Sequence, residues 1–328
     1  MSLVLAIDGG NSKTDVALVR DDGALLGLAR GTGSSPHHLG GDRSLDVIDA
    51  LVAQLAPPES PQLALLLMAG VDFPEEEHEL EELVAQRGWA KRIAVRNDTF
   101  AVLRAGTDRG WGIAVTCGAG INCVGVAPDG RHHRFPALGP NTGDWGGGQD
   151  VGQEALYAAA RSEDGRGPRT RLERDVSEHF GVATPAEVAY QMHRGRLDEG
   201  RLVELAPIVF AAAADDAVAA AIVARLVVEV VALVRVTAHR LGLEEAELDV
   251  VLGGGLLQDA DDTLIGEISH GVHATAPLAV VRPTAAPAVL GSALLALDEL
   301  GAEEDAKARL RREFEARTSP VTIGDLDG

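Results

Sequence analysis

The residues of this chain best suited to chemistry lie in short glycine-rich segments that follow apolar runs. In the first, IDGGNSKTD at 7–15, Asp8 ends an apolar run and a tight turn follows. Glycines let backbone N–H groups converge on one point, and such an array binds phosphate oxygens. The candidate phosphate-binding residues are Gly9, Gly10, Asn11, Ser12, Lys13 and Thr14. Asp8 is a candidate to hold hydrated Mg²⁺ beside the phosphates. An ordinary glycine-rich hairpin is the alternative.

This first turn is not a Walker A motif. That motif, G-x-x-x-x-G-K-[ST], runs from a strand into a helix, whereas the turn here leads into a second apolar run. Lys13 still supplies a cation, and it is one of only three lysines in the chain.

Two later segments repeat the glycine-rich pattern. TCGAGIN at 116–122 gives a second candidate phosphate turn, and VVLGGGLLQ at 250–258 would let a flat ring approach the backbone closely. The candidate nucleotide-binding residues here are Cys117, Gly118, Ala119, Gly120, Asn122, Gly253, Gly254 and Gly255. Each segment alone is a weak signal. Together they predict a nucleotide held between two domains, which requires all three contacts.

Other polar segments predict a second ligand. Asn97 and Asp98 end the run IAVRND and precede a helical run, so Asp98 is either a site acid or a helix N-cap. The loop ALGPNTGDWGGGQDVGQEAL at 137–156 is rich in hydrogen-bonding groups, which suits a polyhydroxylated ligand; a flexible connector is the alternative. Gly70 ends the apolar run at 65–69, where a backbone amide could approach this ligand.

No metal-binding pattern accompanies the histidines. His37/His38 and His132/His133 are adjacent pairs, and neighbouring residues rarely converge on one ion. Neither H-E-x-x-H nor C-x-x-C is present. Both pairs are therefore interpreted as solvated loop histidines.

The elements that must position these residues alternate between short β-rich runs and helical runs, which indicates an α/β layered architecture. Strands are expected at 2–10, 14–31, 63–71 and 93–98, and helices at 45–55 and 76–88. The apolar stretch 217–241 contains Arg225, Glu229 and Arg235, so we expect a buried amphipathic helix rather than a membrane span. The irregular basic segment 161–174 is expected to be an exposed loop.

An internal repeat predicts two similarly built domains. Residues 5–23 and 113–130 each show an apolar run, a glycine-rich turn, a second apolar run and a closing Asp-Gly turn. We therefore expect a first lobe at 1–112, completed by a helix at about 288–316. The second lobe would cover 113–287, with a helical segment from about 151 to 242. Chance similarity between strand–turn–strand pieces is the alternative.

Composition limits the class of protein. The chain has 328 residues, a length that favours two domains, and 46% of them are hydrophobic, as in an ordinary globular protein. Its 29 basic residues against 50 acidic ones give a net charge of −21, which argues against nucleic acid or an anionic membrane as the main partner. Two cysteines make no disulfide framework, and no basic, apolar leader begins the chain, so a cytoplasmic protein is expected.

With these motifs in place, the chain resembles the actin-like ATPase superfamily of sugar kinases, actin and Hsp70. Within it, the resemblance is to the N-acetylglucosamine kinase and BadF/BadG/BcrA/BcrD ATPase family. LAIDGGNSKTDVALV and VTCGAGINCVGV look like the two phosphate motifs, VVLGGGLL looks like the adenosine motif, and APAVLGSALLAL at 286–297 looks like the closing helix. The resemblance implies two actin-like (ribonuclease H-like) lobes with an interdomain nucleotide cleft.

The resemblance also implies roles for individual residues. Asp98 would take the proton of the acceptor hydroxyl, ATP and Mg²⁺ would be the cofactors, and N-acetylglucosamine the acceptor at its 6-hydroxyl. The acceptor would be contacted by Ser35, Gly70, Asn97, Asp98, Asn141, Gly143 and Asp144. Two positions depart from the family pattern. Ser35 stands near the position of a sugar-binding asparagine, and Trp145 replaces the glutamate of a Gly-Asp-Glu-Gly motif, where it would stack on a sugar or simply pack.

Several alternatives remain open. Glucosamine or another hexosamine could be the acceptor, and a homodimer is common among similar kinases. The same family includes ATPases that activate acyl-CoA reductases or dehydratases, but these need a cysteine-ligated iron–sulfur cluster. Cys117 and Cys123 lie in one hairpin, where such ligation would conflict with nucleotide. A non-catalytic sugar sensor and a ROK-type kinase, whose zinc-binding pattern is missing here, are further alternatives.

Overall fold

The computed structural model describes residues 1–318. These residues form two compact units, one made of residues 1–108 together with the chain from 286 onward, the other of residues 109–285. Each unit is a mixed α/β structure built on one five-stranded sheet, as the alternation of runs predicted.

The strands are short and bounded by turns. In chain order they are β1 Leu3–Gly9, β2 Lys13–Arg20, β3 Leu25–Thr32, β4 Leu63–Met68, β5 Arg92–Asn97, β6 Gly112–Cys117, β7 Ile121–Val126, β8 His132–Arg134, β9 Asp249–Gly253 and β10 Val280–Pro283. The first five belong to the first unit and the others to the second.

The α-helices occupy the intervening segments. They are α1 Pro36–Leu39, α2 Gly41–Leu55, α3 Pro74–Ala85, α4 Thr99–Gly106, α5 Gly147–Glu163, α6 Leu172–Phe180, α7 Pro185–His193, α8 Ala206–Ala212, α9 Ala217–Leu241, α10 Gly255–Gln258, α11 Asp262–His273, α12 Ala288–Glu299 and α13 Glu304–Thr318. Short 3-10 helices lie at Gly139–Asn141 and Glu199–Leu205.

The two sheets share one plan. The first has the order β3-β2-β1-β4-β5, and the second has the order β10-β9-β6-β7-β8. In each, the first three strands of the unit form an antiparallel meander, and the later strands add in parallel to the first strand. The repeated hairpins at 5–23 and 113–130 therefore open two sheets of equivalent topology, as the sequence repeat indicated.

The first sheet is covered on both faces, which explains its continuous apolar strands. Every residue of β1 and β4 is buried. Alternate residues face two separate cores: Leu5 and Ile7 pack with α2 and α3, whereas Val4 and Ala6 pack with α12 and α13. A sheet buried on both sides requires such strands, because neither face meets water.

The second unit contains two cores. Strands β6, β7 and β9 pack against α9 and α11, and helices α5 to α8 form a helical insertion with its own core. The helical segment expected at about 151–242 is thus present as five helices. The basic segment 161–174 is not simply a loop, since α5 continues to Glu163 and α6 begins at Leu172.

Helix α9 is the apolar stretch singled out at 217–241. Among the described residues it is the one helix whose length and composition would suffice to cross a membrane. One face is buried, with Ile222 in the core of the insertion and Leu226, Val230 and Val234 in the core beside the sheet. Arg225, Arg235 and Val228 lie exposed on other faces. The helix is amphipathic, as expected.

The two histidine pairs differ. His37 and His38 are exposed in α1, as predicted. The prediction is wrong for His133, which lies in β8 with its ring 5.0 Å from that of Phe135 and its Nε2 buried without a hydrogen-bond partner. Burial lowers its pKa, as do the nearby charges of Arg240 and His132. A solvated loop residue would show neither feature.

Candidate functional site

The topology of the first sheet brings three strand ends together. β1, β4 and β5 are parallel neighbours, so their carboxyl ends, Gly9, Met68 and Asn97, lie at one edge. Backbone hydrogen bonds continue across this edge, from the Ala69 N–H to the Gly9 carbonyl at 2.8 Å and from the Asp98 N–H to the Met68 carbonyl at 3.3 Å. Asp8, the loop 69–73 and Asp98 are thereby assembled in one place.

The first glycine-rich turn is a tight hairpin between β1 and β2. The Gly10 N–H donates to the Lys13 carbonyl at 2.9 Å, and Asn11, Ser12 and Lys13 are exposed. Gly9 has no room for a Cβ, which would collide with the side chain of Met68. Exposed groups at the tip of a rigid turn suit phosphate binding.

Thr14 lies apart from these exposed groups. It is fully buried, and its hydroxyl donates to the Ser34 Oγ at 2.7 Å. In this conformation the Thr14 side chain anchors the turn to the segment after β3.

Two carboxylates stand opposite each other beneath this turn. Asp8 pairs with Asp15 in the antiparallel register of β1 and β2. Asp15 is neutralised by Arg30, whose Nε and Nη2 lie 2.6 and 2.9 Å from its two oxygens. The pKa of Asp8 is raised to about 7, mainly by burial and also by the charges of Asp98 and Asp15, while Lys13 and Arg30 oppose the rise.

A divalent cation fits this arrangement. Like charges in a buried place favour the protonated form, and a bound cation would relieve that repulsion. Within residues 1–318 no cluster of three or more histidine, cysteine, aspartate or glutamate side chains could enclose a metal. Mg²⁺ is usually held by one or two carboxylates together with waters and phosphate oxygens.

Asp98 is the N-cap residue of α4, directly before Thr99, but its side chain does not cap the helix. Its side chain makes no capping hydrogen bond, and the Thr99 N–H donates instead to the Asn97 Oδ1 at 3.0 Å. The capping alternative therefore applies to Asn97. Burial raises the pKa of Asp98 to about 6, and the nearby backbone amides of Asp98 and Thr99 and the Thr99 hydroxyl oppose the rise. A carboxylate with this pKa is a stronger base than an ordinary aspartate.

Asn97 and Ser35 were expected to contact a sugar, and the structure gives them other partners. Asn97 is 2% exposed, and both ends of its amide are bonded to protein groups. Ser35 is also 2% exposed, and its hydroxyl donates to the Ala69 carbonyl at 3.0 Å. A direct sugar contact would need these bonds to change. Gly70 lies next to Ser35 with φ = 73°, a conformation that favours glycine.

The second glycine-rich turn joins β6 and β7 and carries no charged side chain. The Gly118 N–H donates to the Gly120 carbonyl at 3.0 Å. The start of α5 is bonded to the same turn, from the Gly148 N–H to the Gly118 carbonyl at 2.8 Å and from the Gln149 N–H to the Ala119 carbonyl at 2.9 Å. Asn122, one residue into β7, accepts from the Cys123 N–H at 2.7 Å.

Two further glycines pack against this turn. A Cβ at Gly147 (φ = 76°) would collide with the Gly120 carbonyl, and one at Gly254 (φ = 77°) would collide with the backbone of Cys117. The run 146–148 was predicted to belong to a sugar-binding loop, and its close approach to the second turn was not predicted. The signal for it was the uninterrupted Gly-Gly-Gly directly before a helix.

The side chain of Cys117 belongs to the core beneath the turn. Both cysteines are fully buried, and burial raises the pKa of each thiol to about 12. Cys117 therefore contributes only its backbone to the turn. Neither thiol is exposed in this conformation.

A large cavity opens beside the third glycine cluster. Its volume is about 1010 Å³, and Gly255, Leu256 and Asp259 form one wall. Phe210 of α8 and Val223 of α9 also line it and add apolar surface. A mostly apolar pocket with a few polar groups at its rim is typical of sites for flat organic ligands.

The loop carrying Asp144 borders a smaller cavity of about 190 Å³. Asp144 is half-buried and accepts a hydrogen bond from the Thr142 hydroxyl, while Asn141 and Gly143 are exposed. One face of the Trp145 ring is covered by Arg225, whose guanidinium carbon lies 4.0 Å from the ring centroid. Trp145 packs against both cores of the second unit and also lines the same cavity as Asp144.

Comparisons with known proteins agree with these features. The family model of the BadF/BadG/BcrA/BcrD ATPase family matches residues 5–296. An N-acetylmuramic acid/N-acetylglucosamine kinase of Clostridium acetobutylicum is 26% identical over 269 residues, which cover 79% of this chain and 87% of that protein. An N-acetyl-D-glucosamine kinase of Dictyostelium discoideum is 23% identical over 313 residues, covering 90% and 98% of the two chains.

Solved structures show the same architecture. A crystal structure from Chromobacterium violaceum, described as that of an N-acetylglucosamine kinase, has a TM-score of 0.70 and 25% identity, and it covers 90% of this chain and 99% of its own. The matched region contains all three glycine clusters, Asp98 and the Asp144 loop. The chain therefore belongs to the BadF/BadG/BcrA/BcrD ATPase family.

Proposed function

We propose that this protein is an ATP-dependent amino-sugar kinase that phosphorylates the 6-hydroxyl of N-acetylglucosamine. The observation that carries the proposal is the carboxylate of Asp98, at the strand edge that also holds Asp8, with its pKa raised to about 6. Phosphoryl transfer requires a positioned acceptor, charge neutralisation and a modest base. The two curated relatives are both N-acetylglucosamine kinases, which supports the choice of acceptor.

In this mechanism Asp98 accepts the proton of the acceptor hydroxyl. The hydroxyl oxygen then forms a bond to the γ-phosphorus of ATP, and the bond from that phosphorus to the bridging oxygen of ADP breaks. Asp8 would hold Mg²⁺ through its carboxylate and bound water, and the ion would neutralise charge on the phosphates. If its pKa were that of an ordinary aspartate, Asp98 would be a weaker base, and proton transfer from the hydroxyl would be less favourable.

Phosphate binding is assigned to the two glycine-rich turns. In the first turn Gly9, Gly10, Asn11, Ser12 and Lys13 would contribute backbone amides and one cation. In the second turn the backbone of 117–120, together with Asn122, would contribute amides alone. The chain carries 50 acidic residues and a net charge of −21, which repels an anion such as ATP. These local hydrogen-bond donors are therefore needed to hold the phosphates.

Adenosine is assigned to the third cluster. The cavity beside Gly255 is large enough for a nucleoside, and its apolar wall from α8 and α9 suits a purine ring. Gly255 would allow the ring to approach the backbone, while Gly253 ends β9 and Gly254 holds the cluster against the second turn.

The acceptor is assigned to Asp98, Asp144, Asn141, Gly143 and the loop that contains Gly70. Asp144 and Asn141 carry the groups that recognise sugar hydroxyls, and both can be reached from solvent. Ser35 and Trp145 differ from the residues that the family pattern has at these positions, and both differences affect which hexosamine fits best. The experiment must therefore compare several sugars.

The test is a coupled ADP-release assay over N-acetylglucosamine, N-acetylmuramic acid, glucosamine and glucose, with and without Mg²⁺. We expect sugar-stimulated turnover that is highest with N-acetylglucosamine and absent without the metal. Phosphorus NMR of the product would place the phosphate on the 6-hydroxyl. A protein that hydrolyses ATP at the same rate with every sugar and with none would refute the kinase assignment.

The buried cysteines favour a kinase over an activating ATPase of the same family. An iron–sulfur cluster requires accessible thiolates, and both thiols here lie in the core with pKa values near 12. We expect the purified protein to be colourless and free of iron. A stoichiometric cluster, seen as visible absorption, would reverse this preference.

A further inference from the structure

The side chain of Asn97 lies directly before the proposed base and is almost completely buried. Its Nδ2 donates to the Val71 carbonyl at 3.1 Å and to the Asp72 Oδ1 at 2.8 Å. Its Oδ1 accepts from the backbone N–H of Thr99 at 3.0 Å and from the Thr99 hydroxyl. One amide therefore joins the loop 69–73 to the first residue of α4.

The loop 69–73 is fixed from several sides. The hydroxyl of Ser35 donates to the Ala69 carbonyl, and the Glu76 carboxylate accepts from the N–H groups of Asp72 and Phe73 at 2.7 and 3.0 Å. The bonds from Asn97 connect this loop to the segment of Asp98. Beside them, the Asp98 N–H donates to the carbonyl of Met68, the residue directly before the loop.

The chemistry at this position requires an asparagine. A primary amide offers two N–H donors and an oxygen with two acceptor sites, and here all four are used. An aspartate has no donor and would place a second carboxylate against Asp72. An alanine would leave buried donors and acceptors without partners, each costing about 1–3 kcal/mol.

We propose that Asn97 is a positioning residue that couples the acceptor loop to the base, so that Gly70 and Asp98 keep one fixed geometry. The inference rests on the proposed function, because it assigns the acceptor to these two residues. It replaces the direct sugar contact expected for Asn97 from sequence. Geometry of this kind matters for catalysis, since a displacement of about 1 Å can cost roughly a hundredfold in rate.

The main test compares Asn97→Ala and Asn97→Asp with the parent protein. We expect both to lower kcat/KM for the sugar by roughly a hundredfold, largely through kcat, while the dissociation constant for ATP stays unchanged. Substitutions at Asp72, which accepts from Asn97, provide a second comparison. Asp72→Ala should lower kcat/KM for the sugar by a similar factor. Asp72→Asn keeps an acceptor oxygen and should retain most of the parent activity.

A matched control breaks a contact at the other end of α4. Asp298 accepts from the Arg104 Nε at 2.7 Å, so Asp298→Asn weakens the anchoring of the same helix away from the base. Its melting temperature should fall as in Asn97→Ala, with kcat/KM for the sugar retained. An equal loss of activity in this control would show that general loosening of α4, and not the Asn97 bridge, explains the effect.

Hydrogen exchange separates this inference from the proposed function. In Asn97→Ala the amides of residues 69–73 and of 98–102 should lose protection together, whether or not any sugar is turned over. Loss in only one of the two segments would overturn the coupling. If the parent protein phosphorylates no sugar, the kinase assignment fails, and the exchange result still decides whether Asn97 joins the two segments.

Discussion

The two glycine-rich turns have the same topology and very different surroundings. Beneath the first lie Asp8, Asp15 and Arg30, and Lys13 is exposed at its tip. The second carries no charged side chain, and backbone groups of Gly147, Gly148 and Gly254 pack against it. One copy of the repeated hairpin thus carries the charged chemistry, and the other is specialised for close backbone packing. The repeat conserves shape while its chemistry has diverged.

The comparison predicts that side-chain substitutions matter most in the first unit. Asp98→Asn removes the proposed base without changing its volume. Turnover should fall roughly 10²–10⁴-fold, as for other general bases, while ATP affinity is retained. A coupled assay together with calorimetric titration of ATP would measure both. Retained turnover would exclude Asp98 as the base.

Backbone substitutions should matter most in the second unit. Gly147→Ala adds a Cβ against the Gly120 carbonyl at a positive φ, so the second turn must shift. We expect ATP affinity to fall about tenfold, or about 1.4 kcal/mol, measured by calorimetric titration. Gly130→Ala is the control, because it has φ = 86° and open space around the new Cβ. Equal ATP binding in both variants would show that the second turn does not hold the nucleotide.

Removing the one cation at the first turn should have a smaller effect. Lys13→Ala is expected to weaken ATP binding severalfold and to make the binding depend more steeply on Mg²⁺, since Asp8 and its ion would then carry more of the neutralisation. Titration over a range of Mg²⁺ concentrations would measure this. Lys91→Ala, in an exposed loop, is the control. An unchanged affinity would remove Lys13 from the phosphate site.

The raised pKa values of Asp8 and Asp98 should also make the stability of the protein depend on pH. Because the folded pKa values of Asp8 and Asp98 are raised to about 7 and about 6, the folded protein binds more protons than the unfolded chain between pH 4 and 7. Their contribution to stability is therefore lost as pH rises through this range. In the absence of nucleotide and metal, the melting temperature of Asp8→Asn should therefore fall less between pH 5 and pH 8 than that of the parent protein. A slope identical to that of the parent protein would contradict the raised pKa of Asp8.

Much of the fold could be predicted from sequence because its signals are local. Apolar runs such as 63–68 identify buried strands, the Asp-Gly turns at 22–23 and 129–130 mark strand ends, and the matching hairpins indicate two similar sheets. The prediction was wrong where residues far apart in sequence decide the environment. His133 was expected to be solvated, but β8 pairs with β7, the His133 Nε2 is buried, and the charge of Arg240 at the end of α9 acts on its ring.

The candidate site divides in the same way. Sequence alone determined which residue types are present: glycines that free backbone amides, two isolated acids at strand ends and one lysine in a turn. The tertiary structure decided their roles. Parallel pairing of β1, β4 and β5 brought Asp8 and Asp98 to one edge, and burial there raised the pKa of both carboxyls. It also gave the amide of Asn97 its partners in the loop 69–73 and in α4. Hydrogen-bond partners depend on which strands meet, and spacing along the chain does not specify that.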